Sequence, residues 1–600
     1  MIIKDTIENL TDSNFKDASP IDTIEKIKSI LKSYNIQTEE IWGETGVPYC
    51  FSLRVSVKGT TFGTNGKGLT KEFALASGYG ELMERLQLGY LGKLEMQKDG
   101  NYSANAPISE RVSAEELFEK NKKWYELYSE RLRIFTGEEI DPKKIIMRYS
   151  NYDGNVLAIP FYCINKKSRE YLPTGLVGNI YTANGCAAGN SPEETIVQAL
   201  SEIVERYNLT KLMFDDVTPP DIPEEVIKKY KVAYSIISFL RENDFKVIVK
   251  DCSFGEKFPV ISICIIDTHT GKYHTHFAAN PVFEIALERA LTESFQGSNI
   301  REISKFVDFR FKTEGFFDIK NLISELTVGV SEKLPGFFVG KSKYQYNEKV
   351  GFSGENNKEL LKECIEYFSA KGFDILIRDS SCLGFVTYQI IIPGYSEVFA
   401  HRFSEKNNDL QYKNKVMKTL RNPSLAGIDE KIGCFMGLAQ GNKGFASETR
   451  LHAHLSPKED MFFMAATLAY LNFEFKKYHE VLKNIKTMLS AKITQNEELL
   501  ICINRYLSLL TNKYDSEKIK DILYFFHKKD SVDYLISCIE ANKNPLDEFT
   551  LHCDLQCKED CPLIGKCCNK RTNEIAEIIY QKMEELDFNK FVKTIEKITE

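Results

Sequence analysis

At 600 residues the chain is too long for one core, so two or three domains are expected. Its 43% hydrophobic and 27% charged content is that of a globular protein, and a net charge of −7 argues against a dominant nucleic-acid surface, which needs clustered Lys and Arg. The N-terminus is acidic where a signal peptide needs an apolar run, and the longest apolar run, Met461 to Leu471, is far short of a membrane span. A cytoplasmic location follows, with neither membrane nor nucleic acid as partner, and with the fifteen cysteines as thiols or metal ligands rather than disulfides.

Residues 16–34 form an amphipathic helix on the spacing of Ile21, Ile24, Ile27, Ile30 and Leu31, with Lys16 and Thr23 flanking its start. Residues 49–58 alternate as a strand. Gly66-Lys67-Gly68 then reads as a loop before a helix, where amides and an ammonium can approach phosphate, although it lacks the Walker A pattern. The next helix carries Ser77, Glu81 and Glu84 on one face, with Arg85 following. Residues 114–133 read as a polar, exposed helix, and 145–149 and 156–162 as short strands. Residues 174–189, rich in Gly and small residues, allow close backbone approach to a ligand or to a neighbouring strand.

The stretch Asn190 to Arg206 begins as a strong helix start: Asn190 or Ser191 as cap, Pro192 in the first turn, then Glu193 and Glu194 at the positive end of the dipole. Ile196, Val197, Leu200, Ile203 and Val204 give it a core face. Glu194, Gln198, Glu202 and Glu205 give it an acidic one, which is either wet or holds a cation. Strands follow at 245–249, 260–267 and 274–278, the last with His274 and His276 on one face as a possible metal pair without an obvious third ligand. A third helix repeats the polar spacing as Arg289, Glu293 and Gln296. Residues 373–379 and 388–394 are buried strands. Three helices with one polar spacing point to a shared site built from facing helices.

Strands and helices interleave to about residue 405, a mixed α/β (α+β) domain over residues 1–405; residues 406–600 read as all-α, faintly tetratricopeptide-like, a type of region that more often binds protein than catalyses. Within it, Cys553, Cys557, Cys561, Cys567 and Cys568 are a candidate second metal site for zinc or an iron–sulfur cluster, with regulatory thiols and incidental thiols as the other readings.

Ser77-x3-Glu81-x2-Glu84-Arg85, Glu194-x7-Glu202-x2-Glu205-Arg206 and Arg289-x3-Glu293-x2-Gln296-Gly297, with the opening Lys16-Asp-Ala-Ser-Pro-Ile-Asp-Thr23, resemble the ATP-binding set of the YcaO family over roughly residues 10 to 400. The helical C-terminal region resembles that of long stand-alone members, and the ending lacks the proline-rich tail of azoline-forming ones. The resemblance implies ATP- and magnesium-dependent phosphorylation of a backbone amide oxygen in a peptide or protein, leading to an azoline or a thioamide; alternatively it implies an accessory role in a modification such as ribosomal-protein methylthiolation. It implies metal ligation by Glu81, Glu84, Glu194, Glu202 and Glu205, and nucleotide contact by Lys16, Thr23, Ser77, Arg85, Asn190, Arg206, Arg289 and Glu293. A sulfur-delivery or substrate-presenting partner and a homodimer are family expectations. No motif identifies a general base.

Overall fold

The computed structural model describes residues 15–91, 108–137, 139–150, 154–215, 217–300, 306–309, 319–399, 419–428, 430–432, 434, 455–494, 496–553, 563 and 567–600. Helix α1 (Pro20–Ser33) starts at Ser19, whose hydroxyl accepts the Asp22 amide at 3.1 Å, with Pro20 in the first turn. Strands β1 (Thr38–Gly43), β2 (Phe51–Val57) and β3 (Gly63–Gly68) form an antiparallel sheet in that order. The Gly66-Lys67-Gly68 segment is therefore a strand, not a phosphate loop. Helix α2 (Lys71–Gln87) lies on it, and the glycines permit the contact: a Cβ on Gly66 would stand 2.1 Å from the Ala74 carbonyl oxygen, and one on Gly68 2.6 Å from the Ala74 nitrogen.

Strand β4 (Glu110–Ser113) precedes helices α3 (Ala114–Lys120) and α4 (Lys122–Thr136). The expected single exposed helix is thus two, and it is not exposed: Trp124, Tyr125, Tyr128 and Leu132 are fully buried on one face of α4, and Trp124 Nε1 donates to Asp374 at 2.7 Å. The expected strand at 145–149 is helix α5 (Pro142–Met147), started by Asp141, whose carboxylate accepts the Lys143 amide, and by Pro142. Strands β5 (Asn155–Cys163) and β6 (Ser168–Pro173) pair next. The small-residue stretch turns through a π-helix at Val177–Tyr181 into β7 (Cys186–Ala188). Its close approach is to a strand: Gly185, at positive φ, accepts the Ile390 amide at 2.7 Å, and a Cβ there would meet the Ile390 oxygen at 2.2 Å.

Helix α6 (Pro192–Asp215) is the longest of the first part, followed by α7 (Lys231–Glu242) and the antiparallel sheet of β8 (Phe245–Asp251), β9 (Val260–Asp267) and β10 (Tyr273–Ala279). Then come α8 (Phe283–Ser294), α9 (Ile319–Val328), α10 (Asn357–Ala370), β11 (Leu376–Asp379) and β12 (Thr387–Ile391). The third sheet runs β4-β5-β11-β12-β7, with β6 on β5, and the ladders among the described strands are antiparallel. The first part is therefore α+β.

Beyond it stand α11 (Pro457–Glu474), α12 (Tyr478–Ala491), α13 (Glu497–Thr511), α14 (Ser516–Phe526) and α15 (Lys529–Glu540), which share one apolar core of their own. The single helical stretch expected at 573–598 is two helices, α16 (Asn569–Glu584) and α17 (Phe588–Thr599). These return to the first part: Ile575 and Ile579 join the core of α1 and α2, and Phe591 and Ile595 join the large core around α4, β5 and α6. The expected boundary at 405–406 lies outside the described residues. Among the described residues no helix is long and apolar enough to cross a membrane.

Candidate active site

The three helices with polar rows meet as the spacing requires. Ser191 is the cap of α6: its hydroxyl accepts the Glu194 amide at 3.1 Å. Asn190, one residue earlier, instead donates its side-chain NH2 to the Glu194 carboxylate at 3.2 Å and accepts from Thr23 at 3.0 Å. Lys16 closes the arrangement with an ion pair to Glu194 at 2.9 Å, and the Asp17 amide adds a donor at 3.2 Å. Burial pushes the Glu194 carboxyl up, but Lys16, Asp17 and Asn190 together outweigh it and hold the group below its ordinary range. Lys16, Thr23, Asn190 and Glu194 are thus one cluster at the start of α6.

A second cluster lies further along. Eight residues separate Glu194 from Glu202, about 12 Å of helix. Arg85 pairs with Glu84 at 3.3 Å and Glu81 at 3.7 Å on α2; Arg206 pairs with Glu205 at 3.7 Å and Glu202 at 4.0 Å on α6. Arg289 of α8 donates to Gln198 at 2.6 Å and to Glu293 at 3.2 Å. Glu293 also pairs with Lys67 of β3 at 3.3 Å and with His276 of β10 at 2.9 Å. Ser77 sits beside Lys67, its hydroxyl accepting the Lys67 amide at 3.5 Å.

The acids of α2 and α6 feel one another. Burial first, then the charges of Glu202 and Glu81, push the Glu84 carboxyl up to about 8 despite Arg85. Burial and Glu293 push Glu205 up to about 7, and burial with Glu81 raises Glu202. Burial also raises Glu293, but Lys67, Arg289 and His276 win and hold it well below the ordinary range. The two sets of acids respond oppositely because three cations crowd Glu293, whereas along the α2–α6 seam burial and neighbouring acids outweigh Arg85 and Arg206.

That repulsion among buried acids is a test of fit for a divalent cation. Glu84 Oε1 is buried and its nearest donor is the Arg85 guanidinium, an ion pair at 3.3 Å without hydrogen-bond alignment. The available donors are carboxylate oxygens, the hard ligands magnesium prefers, and magnesium takes one or two carboxylates and completes its shell with phosphate oxygens and water. No three His, Cys, Asp or Glu side chains among the described residues form a ready-made metal group. The residues fit a cation shared with a phosphate ligand rather than one caged by protein alone.

The sequence singled out Lys67 and His276 but not the carboxylate they share. Lys67 projects from a strand rather than a phosphate loop, and His276 has its third group, Glu293, on a helix packed against its strand. The two-residue spacing of His274 and His276 places both on one face of β10. At the candidate second metal site, Cys557 and Cys561 lie outside the described residues. Cys553 and Cys567 pack against the helical core, and burial raises the Cys568 thiol, the opposite of an activated thiolate.

The family model described as YcaO cyclodehydratase, ATP- and Mg2+-binding, matches residues 65–396. The ribosomal protein S12 methylthiotransferase accessory factor YcaO of Escherichia coli is 29% identical over 398 residues, covering 64% of this chain and 66% of that protein. An uncharacterised Haemophilus influenzae protein is 27% identical over 418 residues, covering 67% and 68%. The chain thus spans about two-thirds of the length of these curated relatives. A heterocyclase solved with substrate and cofactor aligns with a TM-score of 0.48 and 18% identity, over 66% of this chain and 55% of its own. With the family model covering more than half of its 600 residues, this chain belongs to the YcaO family of ATP- and Mg2+-binding proteins.

Proposed function

We propose that the chain uses ATP and magnesium to phosphorylate a backbone amide oxygen of a peptide or protein. A nucleophile then adds at the amide carbon and phosphate leaves: a Cys, Ser or Thr side chain yields an azoline, sulfide a thioamide. The observation that supports this reading is the meeting of Glu81 and Glu84 of α2 with Glu202 of α6, where burial and the neighbouring acids raise the Glu84 and Glu202 carboxyls, with Glu205 one turn further on. Magnesium held there neutralises triphosphate charge, which is the main demand of phosphoryl transfer.

In this reading Glu81, Glu84, Glu202 and Glu205 hold the metals. Glu194 completes the acidic row and positions Lys16 and Asn190 at the start of α6. Lys16, Thr23, Ser77, Arg85, Asn190, Arg206, Arg289 and Glu293 face the nucleotide. Arg85 and Arg206 each follow their acid directly in sequence, so each guanidinium can turn to phosphate as its neighbour's carboxylate turns to metal. The helical region docks the client. A homodimer, a cytoplasmic location and a sulfur-delivery or substrate-presenting partner belong to the same proposal.

The test is ATP turnover by Glu81→Gln and Glu202→Gln, each expected to lose at least about tenfold, the scale of a lost metal-site group. Unchanged turnover and nucleotide affinity in both variants would sink the assignment. The name of the E. coli relative supports a second reading, an accessory factor for ribosomal-protein methylthiolation. Turnover that appears only when a candidate partner is added favours that reading over a self-sufficient enzyme.

A further inference from the structure

Helix α17 buries Phe591 and Ile595 and turns Lys590, Lys593 and Lys597 along another face. These three lysines and Lys358 of α10 are all exposed, so the face borders an open groove. Lys358 of α10 and Pro192 and Glu193 of α6 line its other side, giving a groove of about 520 Å³. Among the described residues the side chains of the four lysines make no hydrogen bond or ion pair, in a chain with 85 acids to 78 Lys and Arg. Four unpaired ammonium groups brought together from two helices repel one another. Glu193 is the one acid lining the groove.

The wall shared with the candidate active site is direct. Asn357, next to Lys358, donates to Asp17 at 3.1 Å, and Ser191 also donates to Asp17. Lys16, one residue before Asp17, and Glu194, three residues after Ser191, form their ion pair alongside.

The chemistry favours a peptide over a phosphate group. The groove offers no arginine fork. The start of α6 offers few amides: Pro192 has none, and those of Glu194 and Thr195 are taken by Ser191. Lys590 to Lys597 instead make a row about 10 Å long. Alternate side chains of an extended peptide, about 7 Å apart, match such a row. Pro192, Ile598 and the lysine stems give the row an apolar floor.

We infer that this groove docks an acidic stretch of the peptide or protein substrate, holding it beside the nucleotide site. That the acidic chain is a substrate rests on the reading above; that it binds does not.

The test uses the full chain without nucleotide and a fluorescent peptide with alternating Glu residues, compared by anisotropy with its Gln isostere. The Glu peptide is expected to bind at least about tenfold tighter and to weaken with salt. Lys590→Glu/Lys593→Glu/Lys597→Glu, and separately Lys358→Glu on the other helix, are each expected to cost about tenfold or more in peptide affinity while nucleotide affinity holds. Equal binding of both peptides, or binding indifferent to Lys358→Glu in a variant that melts like the parent, overturns the inference. So does tripolyphosphate bound at these lysines while the Glu peptide fails to bind. If ATP turnover survives Glu81→Gln and Glu202→Gln but peptide binding behaves as expected, the functional reading falls and the docking site stands.

Discussion

Gly66→Ala tests why the first polar helix sits where it does. The added Cβ would lie 2.1 Å from the Ala74 carbonyl oxygen, 2.7 Å from the Gly78 nitrogen and 2.9 Å from the Gly78 Cα. All three are backbone atoms, so no side chain can swing aside. To bring the closest contact to 3.4 Å, α2 must retreat by about 1.3 Å from β3. Overpacking of this kind costs about 1–3 kcal/mol, and a backbone clash belongs at the upper end. At about 2–4 °C per kcal/mol for a domain of this size, the melting temperature should fall by roughly 5–10 °C. The same retreat moves Ser77, Glu81 and Glu84, so nucleotide affinity should fall with it. Calorimetry on the nucleotide-free protein makes the measurement. Gly80→Ala is the control: it meets nothing within 4 Å in the same helix and should stabilise by about 0.5–1 kcal/mol. A Gly66→Ala protein that melts like the parent but binds nucleotide poorly would refute the packing argument and restore a phosphate role for this glycine.

The carboxyl of Glu84, raised to about 8, keeps its proton in the fold where the unfolded chain has lost it, so stability should fall as pH rises from the ordinary glutamate range towards 8. Glu84→Gln mimics the neutral form and should flatten that dependence, adding about 1–3 kcal/mol at pH 8 without magnesium; parallel pH–melting curves for both proteins would contradict this. Glu293 is the opposite case. Its depressed value contributes stability above the ordinary range, lost as pH falls through the lower folded value, so Glu293→Gln should cost about 3 kcal/mol at neutral pH and less in acid, read by urea unfolding. Gln87 is fully buried, donates to Phe385 O at 2.8 Å and to Thr387 at 2.6 Å, and accepts the Leu383 amide at 2.7 Å. Gln87→Leu strands those backbone groups and should cost about 3 kcal/mol; a neutral result in urea unfolding would show that water replaces the amide.

The polar rows were legible because a helix repeats locally. Glu81 and Glu84, or Glu202 and Glu205, fall on one face by spacing alone, and Pro192 and the acids behind it mark a helix start wherever the chain goes. Periodicity also found α1, though the structure starts it at Pro20 after the Ser19 cap rather than at residue 16. The misread stretch at 114–133 shows the limit. Its Lys and Glu residues advertise solvent, yet Trp124, Tyr125 and Tyr128 between them face the main core. Periodicity separates faces but does not say what covers each. The same holds for α16 and α17, whose apolar faces are plain in sequence but whose partners lie in the first part of the chain rather than in the helical region before them. Which polar groups meet was decided by tertiary structure: Lys16 reaches Glu194 across 178 positions, and Gln87 reaches Phe385 across 298. Lys67, His276 and Arg289 converge on Glu293 from a strand, a second strand and a helix and hold its carboxyl low, while burial and neighbouring acids raise Glu84 and Glu205. Sequence spacing sets what one element presents. The energy of a buried charge depends on every charge packed around it, and those neighbours are chosen only when the elements come together.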